Sequence, residues 1–111
     1  MILFPDAFLN DPLGWIGNQS AHALFIGCGL FALAAIMPLS RREAFGVVLA
    51  LYGAWEVWTF AGDFIDGATD LSFVAMGAAF GWMAWEGKRD KMRLAFAGIV
   101  MAGLAGVWVR L

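Results

Sequence analysis

A chain of 111 residues has room for one domain, and 62% hydrophobic against 14% charged residues, with a mean hydropathy of +0.77, is not the balance of a water-soluble domain of this size. A net charge of -2, a pI near 5.1 and clustered Lys and Arg residues exclude the basic footprint of a nucleic-acid binder. The single cysteine, Cys28, lies in an apolar run, so it offers neither a disulfide nor a thiolate metal cluster and is explained as a small buried hydrophobe.

The first seventeen residues carry Asp6 and Asp11, no basic n-region, and prolines at 5 and 12. A cleaved signal peptide is therefore not expected, and the segment reads as interfacial. Asp11 before Pro12 has the form of an N-cap with proline in the first turn. A bilayer core about 30 Å thick needs roughly 20 mainly apolar residues as helix, and the rest of the chain supplies four such stretches. They fall at about 18–37, 41–63, 69–86 and 92–111. The predicted fold is all-α: a polytopic four-helix transmembrane bundle forming one domain over 1–111. Pro38 ends the first span. Ser40 and Glu43 have capping-box spacing at the head of the second. Asp66-Gly67 signals a turn, Thr69-Asp70 a cap for the third, and Gly87 with the charges after it a stop.

Short loops rich in Lys and Arg stay in the cytoplasm. Arg41 and Arg42 lie between helices one and two, and Lys88, Arg89, Lys91 and Arg93 lie between helices three and four. Both termini and the connection between helices two and three are therefore expected on the extracytoplasmic side of a bacterial inner membrane. Small-residue stripes mark close helix contacts: Gly46, Ala50 and Ala54 on helix two, Gly77 and Gly81 on helix three, Gly98, Ala102 and Gly106 on helix four. The six tryptophans fall mostly toward span ends, where indole suits the headgroup region.

Against this apolar background, Asn18, His22, Glu56, Asp63, Asp66 and Asp70 converge on one leaflet. Glu56 falls roughly 20 Å along helix two, at 1.5 Å per residue, somewhat outward of the midplane. An ionisable group at that depth costs about 2.5–3.5 kcal/mol and turns inward to a partner or a wet cavity. Asn18 and His22 are i and i+4, and Tyr52 and Thr59 share a face with Glu56, so one polar seam can face the bundle interior. His22 and Glu56 are the candidate acid/base pair. His22, Glu56, Asp63 and Asp70 form a candidate ligand set for Mg²⁺, Mn²⁺ or Zn²⁺, with Asn18, Tyr52 and Thr59 behind them. Each residue also has a plainer account: Asn18 or Asp70 as a helix cap, Asp66 as a turn residue, Asp63 at the water boundary, His22 at the interface, Glu56 in a neutral hydrogen bond.

Asn18-Gln-Ser-Ala-His22 at the head of helix one, Glu56 in helix two, and Asp70 followed by Gly77 and Gly81 in helix three resemble the VanZ-like family of small bacterial membrane proteins, and short phage-encoded membrane proteins share the layout. The family pattern typically opens with Asp-x-x-x-His, follows the Glu with Gln, and has an Asn in helix three. Here Asn18, Thr59 and Val74 stand at those positions. The resemblance implies a role at the cell envelope, in the company of glycopeptide resistance, and His22, Glu56 and Asp70 are the positions that match.

Three functions fit the sequence. The first is an outer-leaflet pocket binding a metal or a lipid headgroup, in which four acids attract phosphate only through a cation. The second is a phage-type holin that permeabilises by homo-oligomerisation, and the third a non-catalytic subunit paired with a membrane-protein partner. No nucleophile elbow, phosphate loop or Cys-His pair is present.

Overall fold

The computed structural model describes residues 8, 10–59 and 64–111. They form four helices and, among the described residues, no strand: α1 (Pro12–Ala35), α2 (Arg41–Trp58), α3 (Phe64–Trp85) and α4 (Arg89–Trp108). Local chemistry sets several ends. The Gly14 amide donates to Asp11 Oδ1 at 2.8 Å, with Pro12 in the first turn of α1. At α2 the capping box closes in both directions, Glu43 N to Ser40 Oγ at 3.1 Å and Ser40 N to Glu43 Oε2 at 3.2 Å. Beyond α3, Gly87 takes φ +70°, and the amides of Gly87 and Lys88 return to the carbonyls of Ala84 and Met83. That is a Schellman close, which needs a residue free of the Cβ penalty in the left-handed region.

Three boundaries differ from the sequence reading. α1 begins at Pro12, runs on through the expected start at 18 and stops at Ala35, two residues before Met37, so residues 12–17 are helix continuous with the span. α3 is helical from Phe64, which absorbs the Asp66-Gly67 turn signal; Thr69 is no cap, its hydroxyl donating to Ile65 O at 2.8 Å within the helix. α2 ends at Trp58, where Thr59 Oγ1 donates back to Trp55 O. Glu56 is therefore in the last turn of its helix, while Asp70 sits nearly two turns inside α3.

α3 is the central helix and packs against the other three. One core joins Phe31 and Ala35 of α1, Ala44, Val48 and Tyr52 of α2, and Val74 and Ala78 of α3. A second joins Trp15, Ala23 and Phe73, with α4 contributing Ile99, Ala102 and Val107 at its edge. Arg41 over the Trp85 ring (6.0 Å) puts the start of α2 beside the end of α3, and Arg110 over Trp15 (4.3 Å) puts the end of α4 beside the start of α1. The bundle thus has one end holding both basic connections and an opposite end where Arg110 is the one Lys or Arg.

The inward face of α1 explains an unusual stretch of backbone. Its buried residues are Trp15, Gln19, Ala23, Gly27, Phe31 and Ala35, a strict period of four. Four residues overshoot one α-turn by about 40°, so a uniform α-helix would carry Ala35 about 200° away from Trp15. Between His22 and Cys28 the helix is instead of π type. Its i→i+5 turns hold more residues and rotate the stripe back. Trp15, Gln19, Ala23, Gly27 and Phe31 consequently all meet α3, and the fit is tight: a Cβ added at Gly77 would fall on the Ala23 backbone, and one at Gly27 on the Val74 carbonyl.

Large apolar side chains cover the outside. Phe25, Leu33, Trp58, Phe64, Leu94 and Leu104 are each more than half exposed, and Gly103 is the buried residue of α4. By length and composition α1 and α4 are long and apolar enough to cross a membrane. α2 and α3 are interrupted by charge, at Arg41, Arg42, Glu43 and Glu56 and at Asp66 and Asp70.

Candidate functional site

The inward stripes of three helices each turn polar toward the end of the bundle that holds Arg110. On α1 the period of four passes through Gln19, which is fully buried. On α2 the run Ala44, Val48, Tyr52 continues to Glu56. On α3 the face of Phe73 and Gly77 continues back to Asp70, and Asp66 lies one turn further out.

Asp70 is the centre. Its residue is 7% exposed, and Gln19 Nε2 donates to Oδ1 at 2.8 Å. The His22 Nε2 atom faces Oδ2 at 3.6 Å. His22 Nδ1 lies 2.8 Å from the Asn18 carbonyl. A carbonyl only accepts, so Nδ1 carries the proton, and the nitrogen directed at Asp70 is an acceptor in neutral imidazole and a donor in imidazolium. The Tyr52 ring stands edge-on to the imidazole, centroids 5.7 Å apart, and its hydroxyl lies near the Glu56 carboxyl one turn further along α2. Asp66 and Asp70 are close enough to act on that hydroxyl electrostatically.

His22 and Asp70 are thus brought together, and the carboxylate partner of His22 is Asp70 in place of the expected Glu56. Glu56 reaches the cluster through Tyr52. Asn18 contributes its backbone carbonyl, since the helix starts six residues earlier and needs no cap there. Thr59 is exposed and bonds within its own helix, outside the seam. Asp63 lies outside the described residues. Among the described residues no group of three or more His, Cys, Asp or Glu side chains gathers as a metal ligand set, so the expected His22, Glu56 and Asp70 contribution is not assembled around one point.

The residue the sequence reading passed over is Gln19. Its signal was present: it is four residues from both Trp15 and Ala23, in phase with the buried stripe. Its Oε1 is buried and has no hydrogen-bond partner among the described residues. An acceptor left so costs about 1–3 kcal/mol, which a donor entering the seam would recover.

On the far side of Glu56 lies a cavity of about 490 Å³ between α2 and α3, lined by Gly53, Glu56 and Val57 and by Phe64, Gly67, Ala68 and Leu71. Glu56 is the one ionisable residue among the described residues that line it.

Comparison of the chain with protein-family models, with curated proteins and with solved structures gives no match in any of the three.

Proposed function

We propose that the chain is a four-span integral protein of a bacterial inner membrane, both termini extracytoplasmic, whose interior seam binds a cationic or hydrogen-donating headgroup near the outer leaflet. The observation that carries it is the buried Asp70 carboxylate, hydrogen-bonded by Gln19 and faced by the His22 imidazole inside an otherwise apolar bundle, beside a Gln19 oxygen with no partner among the described residues. Carboxylates at membrane depth are expensive and mark sites. Here they share the seam with one imidazole, one phenol and one amide, a set that suits a donor-rich ligand better than a phosphate. The exposed apolar belt supports the four spans, since a surface of this kind is stable against acyl chains and not against water. Six of the seven Lys and Arg residues lie at the α1–α2 and α3–α4 end, which supports the orientation. The resemblance to VanZ-like proteins is consistent with this reading at His22, Glu56 and Asp70, and its two glycines, Gly77 and Gly81, meet α1.

Thermal unfolding in phosphatidylcholine nanodiscs tests the seam. Ethanolammonium should raise the midpoint as RT ln(1 + [L]/Kd) requires, and Asp70→Asn should abolish the rise. No rise, or one that Asp70→Asn leaves unchanged, overturns the headgroup reading; a rise with Mg²⁺ or Zn²⁺ alone transfers the seam to a metal. Reporter fusions at the two termini and at Gly87 test the spans, with only the Gly87 fusion expected inside.

One observation favours a second reading, assembly of the holin or subunit kind. Gly46, Ala50 and Ala54 form an exposed stripe on α2, and a Cβ added at Gly46 meets nothing. If copies or a partner pack there, Gly46→Leu lowers the assembled mass while leaving the monomer folded.

A further inference from the structure

We infer that the cavity between α2 and α3 is a lateral binding site for a lipophilic ammonium, an amphiphile with one amine head and an apolar body, drawn from the outer leaflet. The inference rests on the membrane reading above and takes Glu56, not Asp70, as the anchoring group.

At about 490 Å³ the cavity falls within the range of small-molecule pockets, roughly 300–1,000 Å³. Among the described residues its walls are hydrocarbon and glycine backbone apart from one carboxylate. Val57 on α2 and Phe64, Ala68 and Leu71 on α3 line two turns of groove that suit an alkyl chain. Among the described residues no Lys, Arg or His lines it, so these walls supply no counter-ion for Glu56.

Glu56 occupies an uncomfortable position. It sits in the last turn of α2, where the helix dipole disfavours an anion. The Tyr52 hydroxyl is near it, while a carboxylate accepts about four hydrogen bonds. Gly67 makes room for it, and the space beside Gly53 is open. A Cβ at Gly67 would lie 2.9 Å from Glu56 Oε2, so the bare backbone of α3 is what admits the carboxylate, and a Cβ at Gly53 would meet nothing within 4 Å. A glycine inside a helix costs roughly 0.5–1 kcal/mol relative to alanine. A lone anion in an apolar pocket is complementary to a cation that brings its own donors and an apolar body, which is what a primary alkylammonium offers. A phospholipid amine fits less well, because its phosphate would enter beside Glu56 and Asp66.

The test uses the full chain in phosphatidylcholine nanodiscs with a dodecylamine that carries a diazirine in its chain, and the matching dodecanol as the neutral control. After photolysis, peptide mapping should place the amine on Gly53, Glu56 and Val57 of α2 and on Phe64, Gly67, Ala68 and Leu71 of α3, about tenfold above the alcohol, since a charge-assisted hydrogen bond separates the two probes. Glu56→Gln should bring the amine down to the alcohol's level. Gly53→Leu, which fills open space and keeps the carboxylate, should lower both probes together. Asp70→Asn should leave this labelling in place, which separates failure here from failure of the seam. Equal labelling by amine and alcohol, amine labelling unchanged by Glu56→Gln in a protein with wild-type helicity, or labels scattered over the lipid-facing surface would each overturn the proposal.

Discussion

Gly77→Ala is the sharpest probe of how this bundle is held together. The added Cβ would fall on the carbonyl of Ala23 and lie 2.7 Å from its Cα. Both partners are backbone of packed helices, so no side chain can swing aside and α1 must move away from α3. A gap of 0.5–1 Å already forfeits a quarter to a half of the dispersion attraction across an interface. The residues that would lose it, Phe31, Val74 and Ala78, are fully buried. Overpacking costs about 1–3 kcal/mol, and a backbone collision belongs at the top of that range. Replacing a helical glycine by alanine returns about 1 kcal/mol, so the net loss is about 2 kcal/mol. Gly46→Ala on the open face of α2 makes the same helix-propensity gain with no collision, which puts the two variants about 3 kcal/mol apart, a factor above 100 in the unfolding equilibrium. Denaturant unfolding in detergent micelles, followed by far-UV circular dichroism, measures that separation. Values within 1 kcal/mol of each other would refute the close contact of α1 and α3 and the inward turn of the α1 stripe. Loss of activity in a Gly77 variant would therefore report on the fold of the single chain.

Two further outcomes follow from the hydrogen bonds. Ser40→Ala removes the hydroxyl that receives the Glu43 amide and should cost about 1 kcal/mol in the same unfolding assay, with Glu43→Ala adding little once the serine is gone; additive losses would contradict a reciprocal cap. A double-mutant cycle between Gln19→Leu and Asp70→Leu should give a coupling of about 1.5–3 kcal/mol, the range of a hydrogen bond to a charged partner, and a coupling near zero would mean the 2.8 Å contact does not hold the seam.

The parts of the fold that were legible in the sequence are those set by chemistry within one or two turns. Asp11-Pro12, Ser40-Arg41-Arg42-Glu43 and Gly87 act through their own backbone, and each ends or starts a helix where its residue types demand. The Asp66-Gly67 pair misled for the same reason: as a dipeptide it favours a turn, but Asp66 in the first turn of a helix is also favourable to the dipole, and the clearance that Gly67 gives Glu56 is a tertiary matter. The ordering of the acids was misjudged with it. A helix drawn to Asp63 makes Glu56 the buried carboxylate, whereas one that stops at Trp58 leaves Glu56 near an end and gives the interior to Asp70.

The spacing of the α1 stripe carried more than was taken from it. Six buried positions spaced by four residues are incompatible with a straight α-helix, and the glycines at 27 and 29 mark where the backbone can widen. The π segment begins at His22, the residue that faces Asp70. In a uniform α-helix the stripe would drift by about 40° per repeat, and Trp15 and Gln19 could not share a face with Phe31 and Ala35. Either the apolar contacts with Val74 and Ala78 or the contact of Gln19 with Asp70 would then be lost. The wide turn is what lets one helix serve both. The price of a rarer backbone is accepted where the apolar core changes into the polar seam, which is where a binding site needs rigid walls on one side and unsatisfied acceptors on the other.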